Sequence, residues 1–455
     1  MRLKKEEMDI NDVTIIGAGV SGIFLAYTLL KEDDNLNIHI IDKGKKLSQR
    51  QCRREQGEPC SCKGACDKYI GFAGLGMSEG KFNYTNDFGG ELGRKIGSEE
   101  TLHYMKKVDS ILCSFGGHER KKYSTKNINL ANKAATHSLE VLSTETRHLG
   151  TVLAKKIFQL MYEYMETSIN FTFETEIHSI RKDKYFHIET NNGTFVSRRV
   201  VIATGKSGSE WLNRQAQALG LNQGETRLDL GLRVEMRGNQ LDSILDQTFE
   251  TKLRYESDTY SATTYCMNPH GRIIRKYQHG LVMADGQNQQ EGHTLSRNLN
   301  FTLFVPQYFP TYEKAMNQAK EIIGRINQKR ERLVVQRLKD LKNRKVTKHI
   351  SEGGILPTLK ADAGNLYDEM PEFYIHTALK FLTKLEGLLG ESVDEDTLLY
   401  GLDAKFYEPK LFTDDSFQSH LPGFYLVGDC SGETHSLSQA AASGVYLGEA
   451  ISRNI

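Results

Sequence analysis

Apolar positions along this chain fall into three kinds of run. The first is short and unbroken: Val13 to Ile16 in "DVTIIGAGVSG", "NIHII" before Asp42, "RVVIA" ending on Ala203, and Phe424 to Val427. Such β-branched and aromatic runs predict strands buried on both faces. The second kind, "LDLGLRVEM", "TYSATTYCMNPHGRIIRKY" and "HGLVMADG", predicts an antiparallel sheet with a turn at Pro269-His270-Gly271. The third recurs at helical spacing. It includes Ile23, Leu25, Ala26, Leu29 and Leu30, then "TYEKAMNQAKEIIGRINQKRERLVVQRLKDLKNRK" and "EFYIHTALKFLTKLEGLL". Between them, "INFTFETEIHSIRKDKYFHIETNNGTFVSRRVVIATG" predicts a strand through Glu176 and Ile177, a hairpin turning at "NNG", and a buried strand.

Glycines punctuate the first strand-to-helix step. Gly17, Gly19 and Gly22 make G-x-G-x-x-G, with Ala18, Val20 and Ser21 between them, and Asp42 and Lys43 close the second strand. Strand, glycine loop, helix, strand and acid in this order specify a dinucleotide-binding βαβ unit. Gly17 permits the tight turn, Gly19 clears the way for a pyrophosphate, and Gly22 lets the helix pack on the sheet. The helix start offers N–H groups and partial positive charge to phosphates. Asp42 is expected to accept hydrogen bonds from a ribose hydroxyl.

The C-terminal "GFYLVGDCSGETHSLSQAAASG" runs from a strand through Gly428-Asp429 into a small-residue helix starting near Ser438. It resembles the closing motif of FAD enzymes of the glutathione-reductase superfamily. That resemblance implies Gly428 and Asp429 at the ribityl and pyrophosphate region, and Ser438, Gln439 and Ala440 beginning a helix aimed at the pyrimidine edge of the flavin. It also implies backbone contacts from Glu176 and Ile177 to adenine, and Ala203, Thr204 and Gly205 closing over the nucleotide. FAD is the expected cofactor. No second G-x-G-x-x-G in a strand–helix–strand context occurs, so no separate NAD(P)H domain is expected. The segment after Ala203 lacks the Asp-Gly pair usual in flavin aromatic hydroxylases, which counts against a monooxygenase.

Further motifs extend the likeness over essentially the whole chain: "GFAGLGMSEGKFN", "ATGKSGSEW", "LGLRVEM", "CMNPHG", "QRLKDLKNRK", "LLYGLDAKFY" and "GDCSGETHSLSQAAASG". Together they resemble a family of bacterial and archaeal proteins described as FAD-dependent dehydrogenases, which implies a redox role and leaves the substrate open. In the glycine-rich loop, Gly76, Lys81 and Asn83 are expected beside the cofactor. Lys81 is the first candidate for chemistry, since a lysine there stabilises an anionic reduced flavin and relays a proton. A purely binding lysine is the alternative. His435, just before the closing helix, has a neutral-range pKa suited to a general acid or base; it and Cys430 depart from the family pattern. Cys430 reads as a redox thiol or as a small buried residue.

Composition narrows the classes. The chain has 455 residues, 59 basic and 58 acidic, for a net charge of +1, so no overall charge demands a nucleic acid or membrane partner. Its opening residues show no signal-peptide pattern, and no apolar stretch reaches bilayer-spanning length; a soluble cytoplasmic protein is expected. Residues 325–348 hold ten Lys/Arg against two acids, either an anion-binding helix for RNA or a solvated helix burying Leu333, Val334, Leu338 and Leu341. Four of the seven cysteines, Cys52, Cys60, Cys62 and Cys66, lie within fifteen positions. Four thiolates suit an iron–sulfur cluster or zinc, but C-x7-C-x-C-x3-C matches neither common zinc folds nor ferredoxins, so a metal-free loop stays open.

The expected fold class is α/β: a Rossmann-like FAD-binding domain assembled from discontinuous segments, with an inserted α+β substrate (roof) domain. FAD-binding segments are expected at 1–110, 151–215 and 416–455, connecting or roof helices at 111–150, and the inserted domain at 216–415. The expected function is an FAD-dependent oxidoreductase acting on a small organic substrate with an external electron donor or acceptor. The alternatives are an RNA-modifying flavoenzyme and a non-catalytic FAD-bound redox sensor.

Overall fold

The computed structural model describes residues 10–53, 61–62, 65–78, 80–248, 251–287 and 296–453, the side chain of Cys266 excepted. The chain divides into two compact units: residues 1–124, 144–224 and 408–455 form the first, and 125–143 with 225–407 the second. The architecture is α/β, a Rossmann-like domain built from discontinuous segments with an α+β unit inserted in the chain.

In the first unit the short apolar runs pair side by side. The strand order is Asn170–Thr172, Ile38–Ile41, Ile10–Ile16, Gly193–Ile202, Phe186–Thr190 and Ile177–Lys182, with Phe424–Leu426 also on Gly193–Ile202. The centre is parallel: Ile15 pairs with Ile40 on one side and Val201 on the other, and Val201 with Tyr425. Parallel strands need a crossover, and the helix Val20–Glu32 supplies the first one. The closing helix Leu437–Ser452 packs along that crossover helix. Its glycines allow the approach, since a Cβ at Gly444 would lie 2.3 Å from the Ser21 carbonyl oxygen.

Two expectations change here. The strand expected through Glu176 is split, because Glu174 sits at φ 52 and turns the chain between Asn170–Thr172 and Ile177–Lys182. The 111–150 stretch is not purely helical. It holds a helix at Ile128–Thr136 but also strands at Tyr123–Ser124, Leu139–Leu142 and Glu145–His148.

The second unit centres on an eight-stranded sheet. In order its strands are Asp362–Ala363, Val334–Arg337, Leu398–Phe406, Thr226–Arg237, Asn298–Phe309, Ser261–Pro269, Lys252–Glu256 and Leu139–Leu142. Side chains alternate faces along a strand. Leu228, Leu230, Leu232, Val234 and Met236 therefore face one way, into a core shared with the helices Tyr312–Asn327 and Glu372–Leu389. Arg227, Asp229, Arg233 and Glu235 face the other way. The turn at Pro269-His270-Gly271 does not join paired strands. Arg272–Gln278 pairs only with Leu281–Gln287, as a separate two-stranded hairpin.

No single helix covers residues 311–345. The helix from Tyr312 stops at Asn327, followed by left-handed Gln328, Lys329 and Glu331. Val334–Arg337 is a strand, Val335 pairing with Tyr400, and only Leu338–Lys342 returns to helix. The β-branched Val334-Val335 pair meets an open sheet edge, and that tertiary pairing overrides the helical pattern. Leu333, Val334, Leu338 and Leu341 are buried as expected, from different elements. Three of the basic residues are engaged locally: Arg332 with Glu369 at 2.7 Å, Lys339 with Asp396 at 3.2 Å, and Arg344 with Glu372 at 3.1 Å. Arg337 is buried and donates to the carbonyls of Ile355 and Asp396.

His39 records how tightly the first sheet is built. It is 4% exposed, its Nε2 lies 2.8 Å from the Thr172 hydroxyl, and its ring meets Phe195 edge-on at 4.6 Å. Burial lowers its pKa to about 4. The unfolded chain takes up a proton at His39 near pH 6.5 whereas the folded one holds out to about 4, so stability is full above pH 6.5 and falls as the pH drops through that window. The loss at His39 amounts to roughly 3 kcal/mol. In urea titrations at pH 7 and pH 4, His39→Gln should lose less stability over this interval than the parent, by about that amount.

Candidate functional site

The glycine loop is a tight turn between the first strand and the crossover helix. Gly17 sits at φ +109, and a Cβ there would lie 2.5 Å from the Ala203 carbonyl oxygen. A Cβ at Gly22 would lie 2.1 Å from the Gly17 carbonyl oxygen. Gly19 differs: the nearest atom to a Cβ there is the Ala203 oxygen at 3.9 Å, so the space before it is open. Gly19 is also the N-cap of Val20–Glu32, with no side chain capping the helix. The first N–H groups of that helix thus face the open side with no intrahelical acceptor, an arrangement suited to phosphate oxygens.

Ala18 and Asp42 lock the loop to the second strand. The Ala18 N–H donates to Asp42 Oδ2 at 2.7 Å and the Gly44 N–H to Oδ1 at 2.7 Å. Burial pushes the Asp42 carboxyl above the usual carboxylate range, opposed by these two N–H groups. Asp42 thus first holds the protein's own backbone, and any ribose contact falls to its remaining lone pairs. Beside it opens a cavity of about 200 Å³, lined among others by Gly17, Lys43, Ile177, Thr204, Trp211 and Arg214. The Trp211 indole N–H donates to the Ile177 carbonyl at 2.8 Å. The backbone of Glu176 is engaged at both ends, its N–H donating to Asn191 Oδ1 and its carbonyl accepting from the Asn191 N–H. The expected backbone contact from Glu176 to adenine therefore has no donor or acceptor in reserve beyond the second lone pair of the carbonyl. Trp211 and Arg214 were not legible as wall residues, because only the fold brings their helix (Ser209–Ala218) to the cavity.

The C-terminal segment meets the same loop. Gly428 turns at φ +71 against Ser21, and its N–H donates to Ser443 Oγ at 3.1 Å. Asp429 is half-buried and accepts from the Thr434 hydroxyl at 2.9 Å. Gly205 also has positive φ, with nothing within 4 Å of a Cβ. Ser436 caps the closing helix, its hydroxyl accepting from the Gln439 N–H at 3.3 Å. Ser438 is completely buried and its hydroxyl has no hydrogen-bond partner. Buried polar atoms are normally paired, so this hydroxyl fits a ligand at the helix start. Ala440 is buried beside it.

Gln439 has a different role from the one its motif suggests. Its amide donates to the Thr85 and Phe88 carbonyls and accepts from the Leu92 N–H. The side chain thus clamps segment 85–92 around the start of the closing helix. His435 joins this clamp through its N–H, which donates to the Gly89 carbonyl at 2.8 Å. Lys81 opens the strand Lys81–Tyr84, which pairs with Glu145–His148 and packs on the closing helix. Asn83 Oδ1 accepts from Thr146 at 2.8 Å. Tyr84 donates to Asp109, which Arg147 grips through two nitrogens at 2.6 and 3.0 Å. Gly76 is a packing residue: a Cβ there would strike Val20 at 2.6 Å and Phe158 at 2.7 Å.

The cysteine-rich loop is organised by an arginine. Arg50 is 5% exposed and donates to the backbone carbonyls of Asp67, Lys68, Phe72 and Gly74, at 2.5 to 3.0 Å. Lys45 pairs with Asp67 at 3.0 Å, and the Ala73 N–H reaches the Ala18 carbonyl, returning the excursion to the glycine loop. Cys60 lies outside the described residues. Cys52, Cys62 and Cys66 are half-buried thiols in no disulfide. Among the described residues no group of three or more His, Cys, Asp or Glu is arranged to hold a metal ion. Arg50 escaped notice in the sequence because "SQRQCRR" has no periodicity and three arginines compete. Cys430 is buried, its pKa pushed up to about 11 by that burial, and its Sγ lies 3.1 Å from the Val427 carbonyl. It is therefore a thiol at neutral pH, not a reactive thiolate.

If Arg50 is what orders this loop, Arg50→Met leaves four carbonyls without their donor. Alkylation of Cys52, Cys62 and Cys66 by iodoacetamide under native conditions should then accelerate by about tenfold or more, while Cys430 stays protected. The rates are read by peptide mass spectrometry.

No family model and no curated protein matches this chain. Among solved structures, it is similar to glycine oxidase from Geobacillus kaustophilus, at 13% identity over 97% of this chain and 95% of that one, with a TM-score of 0.37. The L-proline dehydrogenase from P. horikoshii gives 11% identity over 98% and 94%, with a TM-score of 0.37. The FrdA subunit of quinol fumarate reductase from E. coli gives 12% identity over 98% and 70%, with a TM-score of 0.40. No described helix is long and apolar enough to cross a membrane.

Proposed function

We propose that the first unit binds FAD and that the protein is an FAD-dependent oxidoreductase acting on an organic substrate, with a separate electron donor or acceptor. The observation that carries this is the convergence of three distant segments on one open cradle. Gly19 leaves it unfilled, an uncapped helix start faces it, and the hydroxyl of Ser438 is buried without a partner in a second helix start.

When bound, FAD supplies reversible two-electron redox chemistry. The chain's own groups would do the rest. The N–H groups at Val20, Ser21 and Gly22 hold the diphosphate, and Gly428 with Asp429 holds the linking chain. The cavity between Asp42 and Trp211 takes the adenosine end. At the other end, the positive pole of the closing helix and the Ser438 hydroxyl stabilise negative charge on the pyrimidine edge. Lys81 adds a cation near that charge and can hold or deliver a proton at its Nζ, and His435 is the second proton-carrying group. Gln439 keeps the 85–92 segment against the helix start, so both groups stay in place.

The second reading, an RNA-modifying flavoenzyme, has less support: the basic 325–348 stretch is not one continuous helix, and Arg332, Lys339 and Arg344 pair with acids of the second unit.

Anaerobic purification and a visible spectrum test this directly: flavin absorbance is expected, and Gly19→Val should abolish it. Lys81→Met should retain the flavin and slow its reduction by about 10²-fold or more. A colourless protein that cannot be loaded with FAD overturns the proposal.

A further inference from the structure

One wall of the cavity beside Asp42 is fixed by the protein alone. Trp211 stands on the helix Ser209–Ala218, and its indole N–H is committed to the Ile177 carbonyl at 2.8 Å. Four residues on, Gln215 makes a matching pair of contacts. Its amide donates to the His178 carbonyl at 3.1 Å and accepts from the Ile180 N–H at 3.0 Å. Ile177–Lys182 is an edge strand of the first unit's sheet, so the helix is held to three backbone groups of that edge. Leu212 and Ala216 of the same helix are buried in the apolar cluster beneath. The place of the Trp211 ring is therefore set by its own N–H and by a helix docked through its neighbours.

The ring is half-buried, and it shares the cavity lining with the aliphatic Ile16, Ile41 and Ile177. Asp42 lines the cavity too, with its two oxygens already accepting from the Ala18 and Gly44 N–H groups. With the indole N–H taken, Trp211 offers a ligand a ring and no hydrogen bond. Base–aromatic stacking asks for nothing more, because every nucleobase has a π-face. Size points the same way. The cavity measures about 200 Å³, below the roughly 300–1,000 Å³ of sites that enclose a drug-sized molecule, so it suits one ring system and not two.

We propose that Trp211 makes this cavity a nucleobase site: the base of a purine nucleotide stacks on its ring, and the cavity takes such a nucleotide with no flavin attached. Identifying that nucleotide with the adenosine half of FAD rests on the redox function proposed above; the stacking itself does not.

The test is calorimetric titration of the full-length protein, stripped of nucleotide and checked for fold by circular dichroism. The probe is ADP, with pyrophosphate and ribose 5-phosphate as its base-free parts. ADP should bind at least about tenfold more tightly than either part. Trp211→Leu should weaken ADP by about tenfold to a hundredfold and leave pyrophosphate unchanged, and Trp211→Phe, which keeps a ring and gives up the N–H, should retain most of the affinity. Thermal melting of both variants separates lost binding from lost folding, and the comparison of ADP with its parts needs no variant. ADP that binds no better than pyrophosphate, or unchanged ADP affinity in a folded Trp211→Leu protein, overturns the proposal. Flavin absorbance before stripping and after reloading judges the redox function separately. Yellow protein whose ADP affinity ignores Trp211 sinks only the stacking, and protein that binds ADP through Trp211 but cannot be loaded with FAD sinks only the flavin.

Discussion

The first unit depends on how closely backbone can approach backbone around residues 17 to 22. With Cβ positions at Gly17 and Gly22 lying 2.5 and 2.1 Å from carbonyl oxygens, no other residue type fits without moving a strand or a helix. That constraint seats the crossover helix on the sheet, aims its uncapped start at open space, and lets the closing helix come down on Ser21. Every later segment of the unit takes its position from this seam: Ala203 from the middle of the chain, Gly428 and Gly444 from its end, and Ala73 from the glycine-rich loop. Glycine is costly in a helix, so its recurrence at Gly22, Gly444 and Gly448 marks where contact outweighs propensity.

Much of this was legible in the sequence because the signals are local. The run Val13–Ile16, the three glycines and the helical spacing after them each act over a few residues, and the second strand, expected to end on Asp42, ends one residue earlier at Ile41. The start of the closing helix and the helix Glu372–Leu389 were equally plain. What could not be read depends on partners far away in the chain. Val334–Arg337 has a helical neighbourhood and becomes a strand because Leu398–Phe406 offers it an edge. Glu176 looks like strand and lies just outside one, because the chain turns at Glu174 and the next strand starts only at Ile177.

Side-chain roles were harder still. Asp42 and Gln439 occupy motif positions that suggest ligand contact, yet each binds the protein's own backbone, and so they shape the site from behind. Arg50 does the same for the loop that carries most of the cysteines. A guanidinium holds its donors in a rigid fork, and here that fork gathers four carbonyls from a segment with little regular structure of its own. Two of the cysteines belong to this framework: Cys62 Sγ accepts from the Asp67 N–H at 3.5 Å, and the Cys66 carbonyl accepts from the Ile70 N–H. In the second unit the same economy appears on the polar sheet face, where buried carboxylates organise cations and hydroxyls.

Trp211 has one more consequence. It is the chain's single tryptophan, its indole is fixed to the Ile177 carbonyl, and it stands on the wall of the cavity beside Asp42. Excited near 295 nm or so, essentially all emission from this protein comes from that one ring, which needs an apolar body and a polar tip to be held as it is. The molecule therefore carries its own optical probe on the wall of the cavity beside Asp42, with no label and no engineered residue required.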